Sequence, residues 1–217
     1  MRLLFAAAFL AIAASCTPAA EEVAPEAIKA ESDKLTAYLN AEFEEELAMS
    51  PMALTQLGRK ELYDKLDDFS EADVQKQLAW RQQSVADMKA QVDPAKLNED
   101  AQTSWDIWAT ELERAELRAK WLRHAYVFGF GGPHTDIPNF LITYHKVDEA
   151  PDMDAYISRL GELGRAIDQL TERAKLAAAD GIRAPKFGYE RTAREAQNIV
   201  TGAPFGDVGV AMVAFLR

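Results

Sequence analysis

Apolar residues recur along this chain at the three- and four-residue spacing of an α-helix, and period-two alternation is nearly absent. The clearest run lies between Asn98 and Tyr126, where Ala101, Trp105, Trp108, Leu112, Ala115, Ala119, Leu122 and Tyr126 alternate by four and three. Ile28, Leu35, Tyr38, Leu39, Phe43 and Leu47 mark an earlier helix. Ser50 followed by Pro51 is a cap with proline at the first helical position, and Gly58 is placed to end that short element. Arg59 to Phe69 continues in helical register through Leu62, Tyr63 and Leu66. Ser70 with Asp73 opens a helix carrying Val74, Leu78, Val85, Met88 and Val92, which Asp93-Pro94 stops. From Asp152 to Asp180 a long helix is predicted, with Met153, Tyr156, Ile157, Leu160, Leu163, Ile167 and Leu170 inward and Gly181 as its stop. Gly181 to Pro185 reads as a linker, and Tyr189 to Val200 as a final helix ahead of Gly202 and Pro204. The expected fold is all-α, a multi-helix array of roughly six to eight helices.

One stretch interrupts this pattern. Val127 to His145 holds three of the 11 glycines, two of the 9 prolines and two of the 3 histidines, and is where chemistry or recognition is expected. Gly129, Gly131, Gly132 and Pro133 end the preceding helix; Thr135 or Asp136 then caps a new element that Pro138 helps to start. Helix is the reading for that element, although the aromatic and β-branched content of Phe140 to Val147 also suits a short strand. The glycines are not a dinucleotide or phosphate loop, because no strand precedes them, the spacing is wrong and no lysine follows. His134, Asp136 and His145 are the one set that could form a metal site or an acid/base pair. Against it, Thr135 and Asp136 could simply satisfy free amides at a helix start while the histidines pack or face water. The candidate substrate or partner loop comprises His134, Asp136, Asn139 and Tyr144. Nothing here forms a complete catalytic constellation: no H-E-x-x-H and no G-x-S-x-G occurs in the chain.

Composition narrows the class. With 48% hydrophobic and 27% charged residues, 217 residues suffice for one globular domain with a substantial core. A net charge of −11 repels a phosphate backbone, so nucleic acid is not an expected partner. The acidic run Glu42, Glu44, Glu45, Glu46 lacks the glycine-bearing loop of a calcium site and reads as a solvated helix face. Trp105 and Trp108, at helical spacing, read as core rather than as a ligand box.

The N-terminus carries an export signal. Arg2 is a short positive region, Leu3 to Ala14 is an uncharged apolar run too short to span a bilayer, and Ala13-Ala14-Ser15 places small residues before Cys16. This resembles a bacterial lipoprotein signal, in which Cys16 becomes the lipidated first residue; cleavage after Ala11-Ile12-Ala13 is the alternative. Cys16 is the single cysteine, so no disulfide forms within the chain. The organisation expected is a signal peptide over 1–15, a flexible tether over 16–25, a helical domain over 26–205 and an apolar, truncated segment over 206–217. The location expected is the periplasm-facing envelope, with Thr17 after the cysteine pointing to the outer membrane.

Taken together, the lipoprotein start, the segment Ser50 to Gly58, the loop His134-Thr135-Asp136-Ile137-Pro138-Asn139-Phe140-Leu141, the helix Tyr156-Ile157-Ser158-Arg159-Leu160 and the linker Gly181 to Pro185 resemble the N-terminal part of the bacterial domain-of-unknown-function family 885. The resemblance implies that the chain is the N-terminal half of a larger helical fold. It implies similarity to zinc metallopeptidases of the thermostable carboxypeptidase kind, which act on peptides through an H-E-x-x-H segment in the C-terminal half. That segment is missing here, so zinc is implied for a complete member and no cofactor for this chain. The expected partners are the membrane through a lipid anchor, and either the missing catalytic half or another envelope protein. A non-catalytic envelope lipoprotein that binds or scaffolds other proteins is the alternative function.

Two acyl chains on one cysteine give stable membrane attachment, at about 0.8 kcal/mol for each buried methylene. Replacing Cys16 with serine is expected to move the protein from the membrane pellet to the soluble fraction. Retention of the variant in the pellet after alkaline carbonate extraction would refute lipid anchoring.

Overall fold

The computed structural model describes residues 24–129 and 131–201. Seven α-helices occur among them: α1 (Pro25–Ala48), α2 (Pro51–Gln56), α3 (Glu71–Gln91), α4 (Glu99–Lys120), α5 (Pro133–Thr143), α6 (Ala150–Ala179) and α7 (Lys186–Thr201), with 3-10 turns at Pro94–Lys96 and Leu122–His124. No strand occurs among the described residues, so the all-α expectation holds. Cys16, the expected signal, residues 16–23 of the expected tether and the apolar 206–217 segment lie outside the described residues, and the tether's last two residues already form the N-cap and first residue of α1.

The helices form two packed groups. In the first, α1, α3 and α4 bury Leu35, Met88, Val92, Ala101 and Trp105 against one another. Trp108 is half-buried and donates its Nε1–H to Ser84 Oγ at 3.0 Å, so it belongs to this core, as its spacing predicted. In the second, α5 and α6 bury Ile137, Phe140, Leu141, Ala166 and Leu170 together with Leu66 from the chain between α2 and α3. Arg123, just past α4, ties the groups by donating to Glu71 at the start of α3 and to Asp180 after α6.

Caps written in the sequence set most helix starts. Ser50 Oγ accepts from the Ala53 amide, Ser70 Oγ from Asp73 and Asn98 Oδ1 from Ala101, each satisfying one of the amides a helix start leaves free. Glu149 and Asp152 form a reciprocal capping box at α6. Helix α5 differs from expectation: it begins at Pro133 with Gly132 as N-cap and no side-chain cap, and Pro138 lies inside it. Gly132 sits at φ 140°, where a Cβ would lie 2.7 Å from the Val127 carbonyl oxygen, so glycine alone fits. The long periodic run also ends early, at Lys120; Leu122 to His124 tightens into a 3-10 turn.

The largest correction concerns Arg59 to Phe69, which is not helical. Tyr63 and Leu66 are buried as expected, but Leu62 is 45% exposed and the backbone lies irregularly across α6. The carbonyls that a helix would pair internally are instead met by side chains of α6. Arg159 Nε donates to the Lys65 carbonyl at 2.8 Å, Arg165 Nη2 to those of Leu66 and Asp67 at 3.2 Å, and Arg173 Nη1 to that of Phe69 at 3.3 Å. Gln169 accepts from the Phe69 amide and donates to Asp68. Backbone groups removed from water must be paired somewhere, and here a row of long polar side chains replaces helical turns.

Arg159 is the centre of this arrangement. It is fully buried, and no ion pair of Arg159 occurs among the described residues. Its other donors go to Thr55 Oγ1 at 2.7 Å, the Pro51 carbonyl at 3.3 Å and His145 Nδ1 at 2.9 Å. The rings of Tyr63 and Phe140 lie 4.9 and 5.2 Å from the guanidinium carbon. Removing it would strand several buried acceptors. Arg159→Met is therefore expected to lower stability by about 3 kcal/mol and the more exposed Arg165→Met by about 1 kcal/mol, read from urea unfolding followed by circular dichroism. Equal losses for the two would refute the central role of Arg159.

Candidate functional site

The glycine loop, α5, α6 and α7 enclose an open groove of about 810 Å³. Phe128, Ile137, Ile142, Leu160, Leu163 and Ile167 give it apolar walls; His134, Asn139, Tyr189, Thr192, Glu195 and Asn198 supply its polar rim. Helix α7 passes close to the loop at Gly188, where an added Cβ would make ordinary contact, 3.5 Å, with Gly129 Cα. The side of α6 read as inward is only partly covered. Tyr156 is half-buried and Leu170 buried, whereas Leu160, Leu163 and Ile167 line the open groove. Met153 and Ile157, expected inside, are 45% and 59% exposed. The reason is that α6 turns its arginine-bearing side toward the Arg59–Phe69 segment, which leaves much of its apolar stripe facing outward.

His134 stands at the groove, buried, with Nε2 2.8 Å from Glu195 Oε2. Arg191, which donates to Glu195 Oε1 at 2.6 Å, and then His134 hold the Glu195 carboxyl below the usual carboxylate range. Ionised Glu195 accepts, so Nε2 of His134 carries the proton. Nδ1 is left buried without a partner. Glu195 was missed in the sequence because 61 residues separate it from His134; its i,i+4 spacing to Arg191 was the one local signal.

The four loop residues named from sequence are not brought together. His134 and Asn139 border the groove, while Asp136 is exposed on the first turn of α5 and makes no cap bond. Tyr144 follows α5, half exposed, its ring stacked 6.1 Å from Phe140. His145 belongs to a different environment. It is buried, stacks 4.0 Å from Tyr63, meets the Asp152 carbonyl through Nε2 at 3.0 Å and receives Arg159 through Nδ1. With the arginine donating, Nδ1 must be bare and Nε2 must carry the hydrogen.

These partners decide the metal question for the set His134, Asp136, His145. Both nitrogens of His145 are engaged, and no group of three or more His, Cys, Asp or Glu side chains among the described residues could hold a metal ion. The residues present do not fit zinc. The acidic run is also more than a solvated face: Glu44 pairs with Arg59 at 2.6 Å, Glu45 accepts from Trp80 Nε1 at 3.2 Å and Glu46 pairs with Arg81.

A family model described as a bacterial protein of unknown function (DUF885) matches residues 51–215. The chain belongs to this family. No curated protein and no solved structure matches it. The DUF885 match opens at Pro51, the first residue of α2, and takes in the Arg59–Phe69 segment, Arg159 and every residue lining the groove. Among the described residues no helix is long and apolar enough to cross a membrane.

Burial, chiefly, and the Arg159 charge push the His145 pKa below its ordinary 6.5. The unfolded chain then binds the proton more readily than the folded one, so the contribution of neutral His145 is fully present above pH 6.5. It is lost as the pH falls below that value and levels off once the folded imidazole is itself protonated. The difference in urea midpoint between wild type and His145→Asn is expected to shrink from pH 7.5 to pH 5, both chosen to bracket that ordinary value. A difference independent of pH would contradict the neutral state assigned to buried His145.

Proposed function

We propose that this DUF885 chain is a non-catalytic helical portion of an exported, lipid-anchored envelope protein that resembles zinc-dependent peptidases. In this reading its work is to seat another polypeptide segment in the groove between α5, α6 and α7. The observation that carries it is the uncovered apolar side of α6, where Met153 and Ile157 lie open beside a groove of about 810 Å³. A continuous apolar surface of this kind is costly in water and commonly marks an interaction site. The preferred occupant is the half of a complete family member that carries H-E-x-x-H. The groove would then border the peptide cleft, with His134 and Glu195 at its edge as orienting groups. Zinc and the hydrolytic residues would come from that partner half, since no H-E-x-x-H occurs in this sequence. Attachment through Cys16 would hold the assembly at the periplasmic face, most simply of the outer membrane.

The test is mixing the lipid-free chain with the separately produced H-E-x-x-H half of a longer family member. A one-to-one complex in size-exclusion chromatography is expected, with loss of the chain's binding of a hydrophobic dye. Leu163→Glu should abolish both. Capture of a different envelope protein in place of that half would support the scaffolding alternative and sink the peptidase assignment. The chain alone is expected neither to retain stoichiometric zinc after dialysis against a weak chelator nor to cleave peptides. Retained zinc with activity abolished by His134→Ala would overturn the non-catalytic reading.

A further inference from the structure

The other end of the molecule holds a second cavity, about 260 Å³, between α1, α3 and α4. Arg81 of α3 lines it, and its environment is unusual. The residue is 8% exposed, and its guanidinium carbon lies 4.3 Å from the ring of Trp108 and 4.8 Å from that of Trp80. Both indoles are themselves tied, Trp108 Nε1 to Ser84 Oγ and Trp80 Nε1 to Glu45. Nη2 of Arg81 is spent on Glu46. Nη1 is buried and has no hydrogen-bond partner among the described residues. Two ring contacts and the Glu46 pair fix the fork, so Nη1 cannot swing to another protein acceptor. A buried charged donor left unpaired is expensive, and the group that pairs it must carry an acceptor into this cavity.

Charge and shape describe that group. Arg118 of α4 lines the same cavity and forms a long, exposed ion pair with Glu111 at 3.6 Å. The charged side chains on the cavity wall itself, Arg81, Arg118 and Glu46, sum to one positive charge, in a chain of net charge −11. A single negative charge balances it; a dianion would be repelled by Glu46. Met49, Val74, Leu78 and Leu122 give the wall its apolar part, and Gln77 adds a further polar group. We propose that this cavity binds a small organic carboxylate, its oxygens accepting from Arg81 Nη1 and from Arg118 and its hydrocarbon body lying against Val74, Leu78 and Leu122. Charge-assisted donors of this kind give a carboxylate its strongest contacts, and aromatic stacking holds the fork ready. The same chemistry could be offered by a free fatty or amino-acid-derived acid or by the C-terminus of a peptide.

The indoles that hold Arg81 also report on it. Tryptophan fluorescence of the whole chain is titrated with sodium hexanoate at ionic strength held constant with sodium chloride, and with hexanol as the uncharged control. A saturable change with hexanoate and none with hexanol is expected. Arg118→Gln should weaken binding about tenfold. Ala115→Glu, which adds a carboxylate to the cavity wall, should abolish it while leaving the circular dichroism unchanged; this variant keeps the test sound if Arg81→Met does not fold. A tripeptide acid that binds where its amide does not identifies a peptide C-terminus as the source, and binding confined to hexanoate identifies a free acid. No saturable response, an equal response to hexanol, or unaltered binding in both Arg118→Gln and Ala115→Glu would overturn the proposal.

Discussion

A buried arginine with no counter-ion among the described residues constrains everything around it. Desolvation alone would favour neutralising Arg159, and its pKa is pushed down by burial, yet guanidinium is so strongly basic that it stays charged. The surroundings must therefore supply dipoles in place of a carboxylate. The Lys65 and Pro51 carbonyls, the Thr55 hydroxyl and the bare Nδ1 of His145 do so, and the faces of Tyr63 and Phe140 add their quadrupoles. Those acceptors come from α2, the Arg59–Phe69 segment and the turn after α5. One side chain of α6 thus sets where three other parts of the chain must lie.

Secondary contacts lock the same parts. Tyr63 donates to the Lys146 carbonyl at 3.0 Å and accepts from the Lys146 amide at 2.7 Å, and Lys60 reaches Asp152 at 2.8 Å. Asp152 in turn caps the start of α6, accepting the amides of Asp148 and Glu149. The Asp67 carboxylate accepts from Ser50 Oγ and the Met52 amide, which pins the start of α2 to the far end of the segment; burial raises its pKa. Because α6 commits one side to this polar network, its apolar stripe falls on the opposite side. The groove is a geometric consequence of where Arg159, Arg165 and Arg173 sit along the helix.

Helices whose partners are local were legible in the sequence. The caps at Ser50, Ser70 and Asn98 and the stripe from Ala101 to Leu122 depend on residues three or four apart, and the structure places them as the pattern requires. What failed to show was anything decided by long-range hydrogen bonding. Leu62, Tyr63 and Leu66 satisfy a helical period, but the segment's carbonyls are captured by arginines about a hundred residues away, a competition that periodicity does not record. Arg159 itself, within the segment Tyr156 to Leu160, gave no sign either, since an arginine beside an apolar stripe reads as surface until its partners are known. In the site, His134 and Asn139 were visible because the loop is unlike its flanks. Glu195 was not, since a charged residue on an amphipathic helix reads as surface until its partner is known.

The loop's composition follows from the same packing. Gly132 must hold φ 140° to start α5 without a side-chain cap, and this start places His134 on the second residue of the helix, turned inward. Helix α7 packs beside the loop at Gly188 and Gly129, and from it Glu195 reaches Nε2. With Nε2 donating to an ionised acid, the imidazole keeps its bare Nδ1 buried beside Gly132 and joins α5 to α7 along one edge of the groove.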